Sequence, residues 1–165
     1  MKNLFVFSIA VIFSASCFSQ KINETDVPDA VKNTFKVRFP GAAGTQWEKE
    51  DSLYNATFLM DQTTTEAEFS DKGAWIETEW EIPLEYTPKA IKNYMDTTYA
   101  GYKIRELEIM DYPTDGKLYK VEISKKKDCQ NLYFTLSGEF KKTEKAECEK
   151  KKGCCKKKES CKSKD

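Results

Sequence analysis

Histidine is absent from all 165 residues. Its absence removes the commonest general base, the commonest metal ligand, and any Ser-His or Cys-His pair. Glycine is sparse, with seven residues, and none of them builds the Gly-rich loop that cradles phosphate. Long apolar runs are missing too. The longest, residues 4–13, falls short of the ~20 residues a membrane helix needs. Catalytic residues are therefore expected to be none, and the chain is expected not to be an enzyme.

Charge is present in full but divided. The chain holds 27 basic and 27 acidic residues and no net charge. Residues 141–165 carry eleven Lys against five acids, while residues 20–140 carry 15 basic residues against 22 acidic ones. The neutral total hides an acidic body with a basic tail. Phosphate binding needs a basic surface, so an acidic body argues against nucleic acid as a partner.

The N-terminus has the order of an export signal: Lys2, the apolar run, then small residues around Ser14–Ser19. Cleavage after Ser19 is expected, with lipidation at Cys17 as the alternative. Both place the protein in the periplasm or outside the cell.

The body contains one pattern twice. Pro28, Ala30, Lys32, Asn33 and Gly41 recur as Pro88, Ala90, Lys92, Asn93 and Gly101, at an offset of 60. Val31, Phe35 and Phe39 recur in kind as Ile91, Met95 and Tyr99. Downstream, Tyr54-x-Ala56-x-Phe58 answers Tyr119-x-Val121-x-Ile123, and Phe69-x-x-x-Gly73-x-Trp75 answers Phe134-x-x-x-Gly138-x-Phe140, at an offset of 65. Within each copy a stripe spaced for a helix gives way to alternation with period two. Strands are expected near residues 45–49, 53–60, 64–70 and 74–81, then near 103–110, 117–124, 130–136 and from 139 on. Thr87 is the expected N-cap of the second helix, and residues 125–129 the expected loop between two strands. The fold class is α+β: two tandem helix-plus-antiparallel-strand repeats, about 27–86 and 87–140, share one core and form one roughly eight-stranded sheet with two helices on one face.

The pattern built by Val27, Pro28, Ala30, Val31, Lys32, Phe35, Phe39, Pro40 and Gly41, then Trp47, Phe69, Gly73 and Trp75, resembles the PepSY-like, β-lactamase-inhibitor-like domains of secreted bacterial proteins. The resemblance spans about residues 27–140. It implies the tandem helix-plus-sheet fold and an extracytoplasmic address. No stretch matches the inhibitor's contact loops residue by residue, so inhibition of a secreted enzyme is a third reading, by analogy of fold alone.

Two stretches are candidate sites. Strand alternation puts Glu66, Glu68, Glu77 and Glu79, with Trp75 and Tyr133, on the face opposite the helices. Acids around an aromatic anchor suit a basic peptide or protein segment, which makes a binding module the first expectation. The more ordinary role of such a face is to be solvated. The tail is the second stretch. Cys148, Cys154, Cys155 and Cys161, set among Lys, suit Zn²⁺ or Cu(I) as thiolates. Disulfides are the competing fate outside the cytoplasm, and Cys129 is free to bridge to the tail, to another chain, or to stay unpaired. Residues 141–165 bury too little to order themselves, and their Lys could draw them to an anionic envelope surface.

Overall fold

The computed structural model describes residues 19 to 148. The expected export signal up to residue 18, including Cys17, and the tail residues Cys154, Cys155 and Cys161 lie outside the described residues.

The chain forms two compact units. The first runs to Glu81 and also takes Met110–Gly116; the second takes Ile82–Ile109 and the chain from Lys117 on. In the first unit β1 (Gln20–Ile22) precedes α1 (Asp29–Arg38), followed by β2 (Ala43–Glu50), β3 (Leu53–Met60), β4 (Thr63–Ser70) and β5 (Trp75–Glu81). Next come α2 (Lys89–Thr98), β6 (Lys103–Tyr112), β7 (Gly116–Lys125), β8 (Asp128–Thr135) and β9 (Phe140–Ala146). In the first unit β1 pairs with β2, β2 with β3, β3 with β4 and β4 with β5, and in the second β7 pairs with β8 and β8 with β9, all antiparallel. The fold is α+β, with nine antiparallel strands rather than eight among the described residues. The extra strand is β1, in a polar lead-in that carries no alternation because it buries almost nothing.

Each helix follows a proline. Pro28 and Pro88 stand one residue ahead of α1 and α2, and their carbonyls accept from the Lys32 and Lys92 amides at 3.0 Å. Proline suits this place because its missing N–H is no loss at a helix start. Thr87 is not the N-cap of α2. Its hydroxyl donates back to the Leu84 carbonyl at 2.6 Å and closes the 3₁₀ turn Leu84–Tyr86 instead.

Each unit closes a core of its own, where one shared core was expected. In the first, Val31 and Phe35 of α1 pack on Trp47, Tyr54, Ala56, Phe58, Ala67 and Phe69. In the second, Ile91 and Met95 of α2 pack on Leu107, Val121, Ile123, Leu132 and Phe134. Partly buried aromatics complete each helix's cover, Phe39 and Trp75 in the first, Tyr94, Tyr99 and Tyr102 in the second. With that help one helix covers its own strands.

Two further expectations change at β8 and β9. Residues 125–129 are not a loop: β7 ends at Lys125, β8 begins at Asp128, and Lys126 turns the corner at φ 59°. Cys129 is therefore a buried strand residue. Residues 141–146, assigned above to the tail, make up most of β9.

Candidate functional site

The open strand face of the first unit is built by register. In β3, Tyr54, Ala56 and Phe58 point into the core, and in β4 Thr65, Ala67 and Phe69 do the same. The alternating residues emerge on the other side. The β4–β5 pairing sets Glu66 opposite Glu79 and Glu68 opposite Glu77. On β3, Thr57 faces Glu66 and Asn55 faces Glu68. Asn55 and the four glutamates line a shallow depression of about 150 Å³.

The sequence pattern understated this face. Trp47 is buried and opposite Ala56, so its neighbour Glu48, opposite Asn55, belongs to the open side, as does Glu50 opposite Leu53. Six carboxylates thus share the face. The signal was available in the alternation around Trp47. At the margin Lys21 lies opposite Glu48 in the β1–β2 pairing, and the Ser19 hydroxyl donates to Glu48 at 2.7 Å.

Like charges directly opposite one another on neighbouring strands are unfavourable. At Glu68 the carboxyl is pushed above its ordinary range by burial first and then by the nearby charges of Glu50 and Glu79. The sign follows. A carboxyl with a raised pKa holds its proton more tightly in the fold than in the unfolded chain. It therefore opposes folding when ionised, and the opposition fades as pH falls through the folded pKa. Glu68→Gln is expected to stabilise the protein at pH 7 by a few tenths to about 1 kcal/mol, and to lose that advantage at pH 4. Urea unfolding at the two pH values checks this; a destabilised variant at pH 7 would contradict it.

Trp75 does not sit among these acids. A bulge between the Glu68 and Phe69 pairings leaves Ile76 extra and sets Trp75 opposite Phe69, on the core side. There its indole N–H donates to the Thr78 hydroxyl at 2.9 Å, and the Arg38 guanidinium covers its ring, 3.0 Å from the centroid. Arg38 also pairs with Asp111 at 3.6 Å. The bulge shifts the alternation by one residue, which is why period-two reading misplaces Trp75.

Tyr133 belongs to the second unit and is buried. Its hydroxyl donates to Glu144 at 3.0 Å, and Lys142, which pairs with Glu144, lies 4.5 Å from its ring. The Lys142 bond, with help from Tyr133, holds the Glu144 carboxyl below its ordinary range. Lys120 pairs with Glu108 at 2.9 Å. This unit's open face mixes both signs, whereas six carboxylates share the first unit's face, with Lys21 at its margin.

The four-cysteine metal site fails at its first member. Cys148 forms a disulfide with Cys129 and has no thiolate to offer. The register explains the pairing, because Cys129 lies opposite Ala146, two residues before Cys148. Among the described residues no group of His, Cys, Asp and Glu is arranged to hold a metal ion.

Helix-backed antiparallel strands with an open, charged face define an α+β module. The chain belongs to the family described as "Putative beta-lactamase-inhibitor-like, PepSY-like", whose pattern matches residues 14–62 and 52–142. Solved structures share the fold. A BLIP-like protein of Bacteroides fragilis is similar at 21% identity, over 75% of this chain and 89% of that one, with a TM-score of 0.65. A DUF2874 family protein of Bacteroides ovatus is similar at 24% identity, over 72% and 86%, with a TM-score of 0.63. A protein of Bacteroides eggerthii described as "putative periplasmic" is similar at 21% identity, over 72% and 88%, with a TM-score of 0.61. At these identities the likeness shows the fold alone. No curated protein matches the chain. Among the described residues no helix is long and apolar enough to cross a membrane.

Proposed function

We propose that this chain is an extracytoplasmic binding module whose first unit grips a basic segment of a partner protein on its open strand face. The observation that carries the proposal is the register: Glu66 opposite Glu79 and Glu68 opposite Glu77, with Glu48 and Glu50 on the same side. A partner's Lys and Arg side chains would complement this concentration of carboxylates, and the complementarity would raise the association rate by electrostatic steering. The export signal and the B. eggerthii likeness support the address. The two units read as copies of one building block, each with a proline-led helix and a glycine hairpin turn seated on that helix; the copies have diverged in the charge of their open faces.

The test is titration with a hexa-lysine peptide. Glu66→Gln/Glu68→Gln/Glu77→Gln/Glu79→Gln is expected to weaken binding by roughly tenfold or more, with a shallower salt dependence. A control that removes Glu24, Asp71, Glu85 and Glu139 carries the same loss of charge. Equal weakening in the control would reduce the effect to net charge and overturn the proposal.

A further inference from the structure

A second cavity lies in the first unit, away from the acids, at the C-terminal half of α1. It measures about 330 Å³, within the range of small-molecule sites. Lys32 stands three and four residues before Phe35 and Lys36, and these stand four and three before Phe39, so the four share one helical face, and all four line it. Trp47 of β2 faces them, its ring 5.2 Å from that of Phe35, and Phe39 lies 5.5 Å from Phe35. The walls are aromatic and the rim is charged, with Lys32 and Lys36 against one carboxylate, Glu24.

The second unit is built differently at the corresponding position. Both helices leave by the same turn: the Ala42 amide donates to the Phe39 carbonyl at 3.1 Å, and 60 residues on the Tyr102 amide donates to the Tyr99 carbonyl at 2.9 Å. At Tyr102 a phenol ring packs against the second core, edge-on to Tyr99 at 5.3 Å, with its hydroxyl bonded to Asp128. At Ala42 there is only a methyl group. The rim differs as well, because the position of Lys36 is Asp96 in the second unit.

We propose that this pocket binds a small amphipathic monocarboxylate. Its aromatic or short aliphatic body lies against Phe35, Phe39 and Trp47, and its carboxylate meets Lys36. Lys32 is held by Asp29 at 2.9 Å and adds its field from the side. Glu24, on the opposite lip, disfavours a dianion. This site does not depend on the acidic face, and either can fail without the other.

The probe is 3-phenylpropanoate, with 3-phenylpropanamide as its neutral match, titrated into ¹⁵N-labelled protein. Saturable shifts are expected at the Trp47 indole N–H and at the amides of Ala42 and Thr45. Ala42→Tyr, which copies the second unit, is expected to abolish them. Lys36→Glu, a surface change, is expected to weaken the carboxylate by roughly fivefold or more and to leave the amide's binding unchanged. Wild-type binding by Ala42→Tyr, or shifts confined to residues outside the pocket, would overturn the site. Lys36→Glu binding the carboxylate as wild type does would overturn the ligand class.

Discussion

Gly73→Ala is expected to remove roughly 3 kcal/mol or more of stability, out of a total of about 5–15 kcal/mol for a protein of this kind. Gly73 turns the chain between β4 and β5 at φ +81°, and a Cβ there would lie 2.7 Å from both the carbonyl carbon and the oxygen of Ala30. The left-handed backbone and the collision act together. The Thr34 hydroxyl, which donates to the Gly73 carbonyl at 2.8 Å, would lose its place as the turn lifted from the helix. Gly138 repeats the arrangement at φ +87°, but its Cβ would meet the Ala90 side chain at 2.6 Å. The two therefore answer differently to rescue. Ala90→Gly should recover part of the loss from Gly138→Ala. Ala30→Gly should recover little from Gly73→Ala, because the obstructing atoms are backbone. Gly116→Ala, with φ +66° and nothing within 4 Å, isolates the backbone term at about 1 kcal/mol. Urea midpoints of the five variants decide the matter. A Gly73→Ala loss no larger than that of Gly116→Ala would contradict the close packing of turn and helix.

Opening the disulfide is the other large effect. Cys129 and Cys148 are 19 residues apart, and closing a loop of that length in the unfolded chain is worth about 3 kcal/mol. The native side points the same way. β9 is exposed along nearly its whole length and has few apolar holds besides Phe140, whose ring stacks on Tyr94 at 5.0 Å. Cys129 is buried and Cys148 exposed, so a reductant reaches the bond from the outer sulfur. Cys129→Ala/Cys148→Ala is expected to lower the unfolding free energy by about 3 kcal/mol, and to speed hydrogen exchange at Thr143 and Lys145 ahead of the β3–β4 amides. Reduced wild-type protein should behave likewise. A loss under about 1 kcal/mol, set against that loop-entropy figure, would mean that β9 is held without the bond.

What could be read from the chain beforehand follows from what each element buries. β3 was legible to the residue because Tyr54, Ala56 and Phe58 alternate with polar neighbours and all three are buried. The helices were legible because Val31 and Phe35, then Ile91 and Met95, keep a spacing of four. β1 was not, and the strand expected from 139 on could not be given its end at Ala146, because an edge strand that buries neither face leaves no period in the sequence. Trp75 was misplaced because a bulge inserts one residue without a residue type that betrays it. The acids on β4 and β5 were found by alternation alone. Glu48 and Glu50 are legible only through the alternation around Trp47, in a strand that the pattern ends at 49 and the structure carries to Glu50. That Glu66 meets Glu79 and Glu68 meets Glu77 could not be read at all, since register depends on turn geometry as well as on pattern.

The acidic face carries the proposed function, and the most direct measurement asks what touches it in the cell. A photo-crosslinking residue placed at Thr57, among the acids on β3, and separately at Val37, which is 84% exposed on α1, samples the two surfaces in the living cell. Crosslinks to one protein through a Lys- or Arg-rich segment from Thr57, absent from Val37 and lost in the four-glutamine variant, are the predicted result. Equal products from both positions, or products that persist in that variant, would contradict a partner site on the acidic strands.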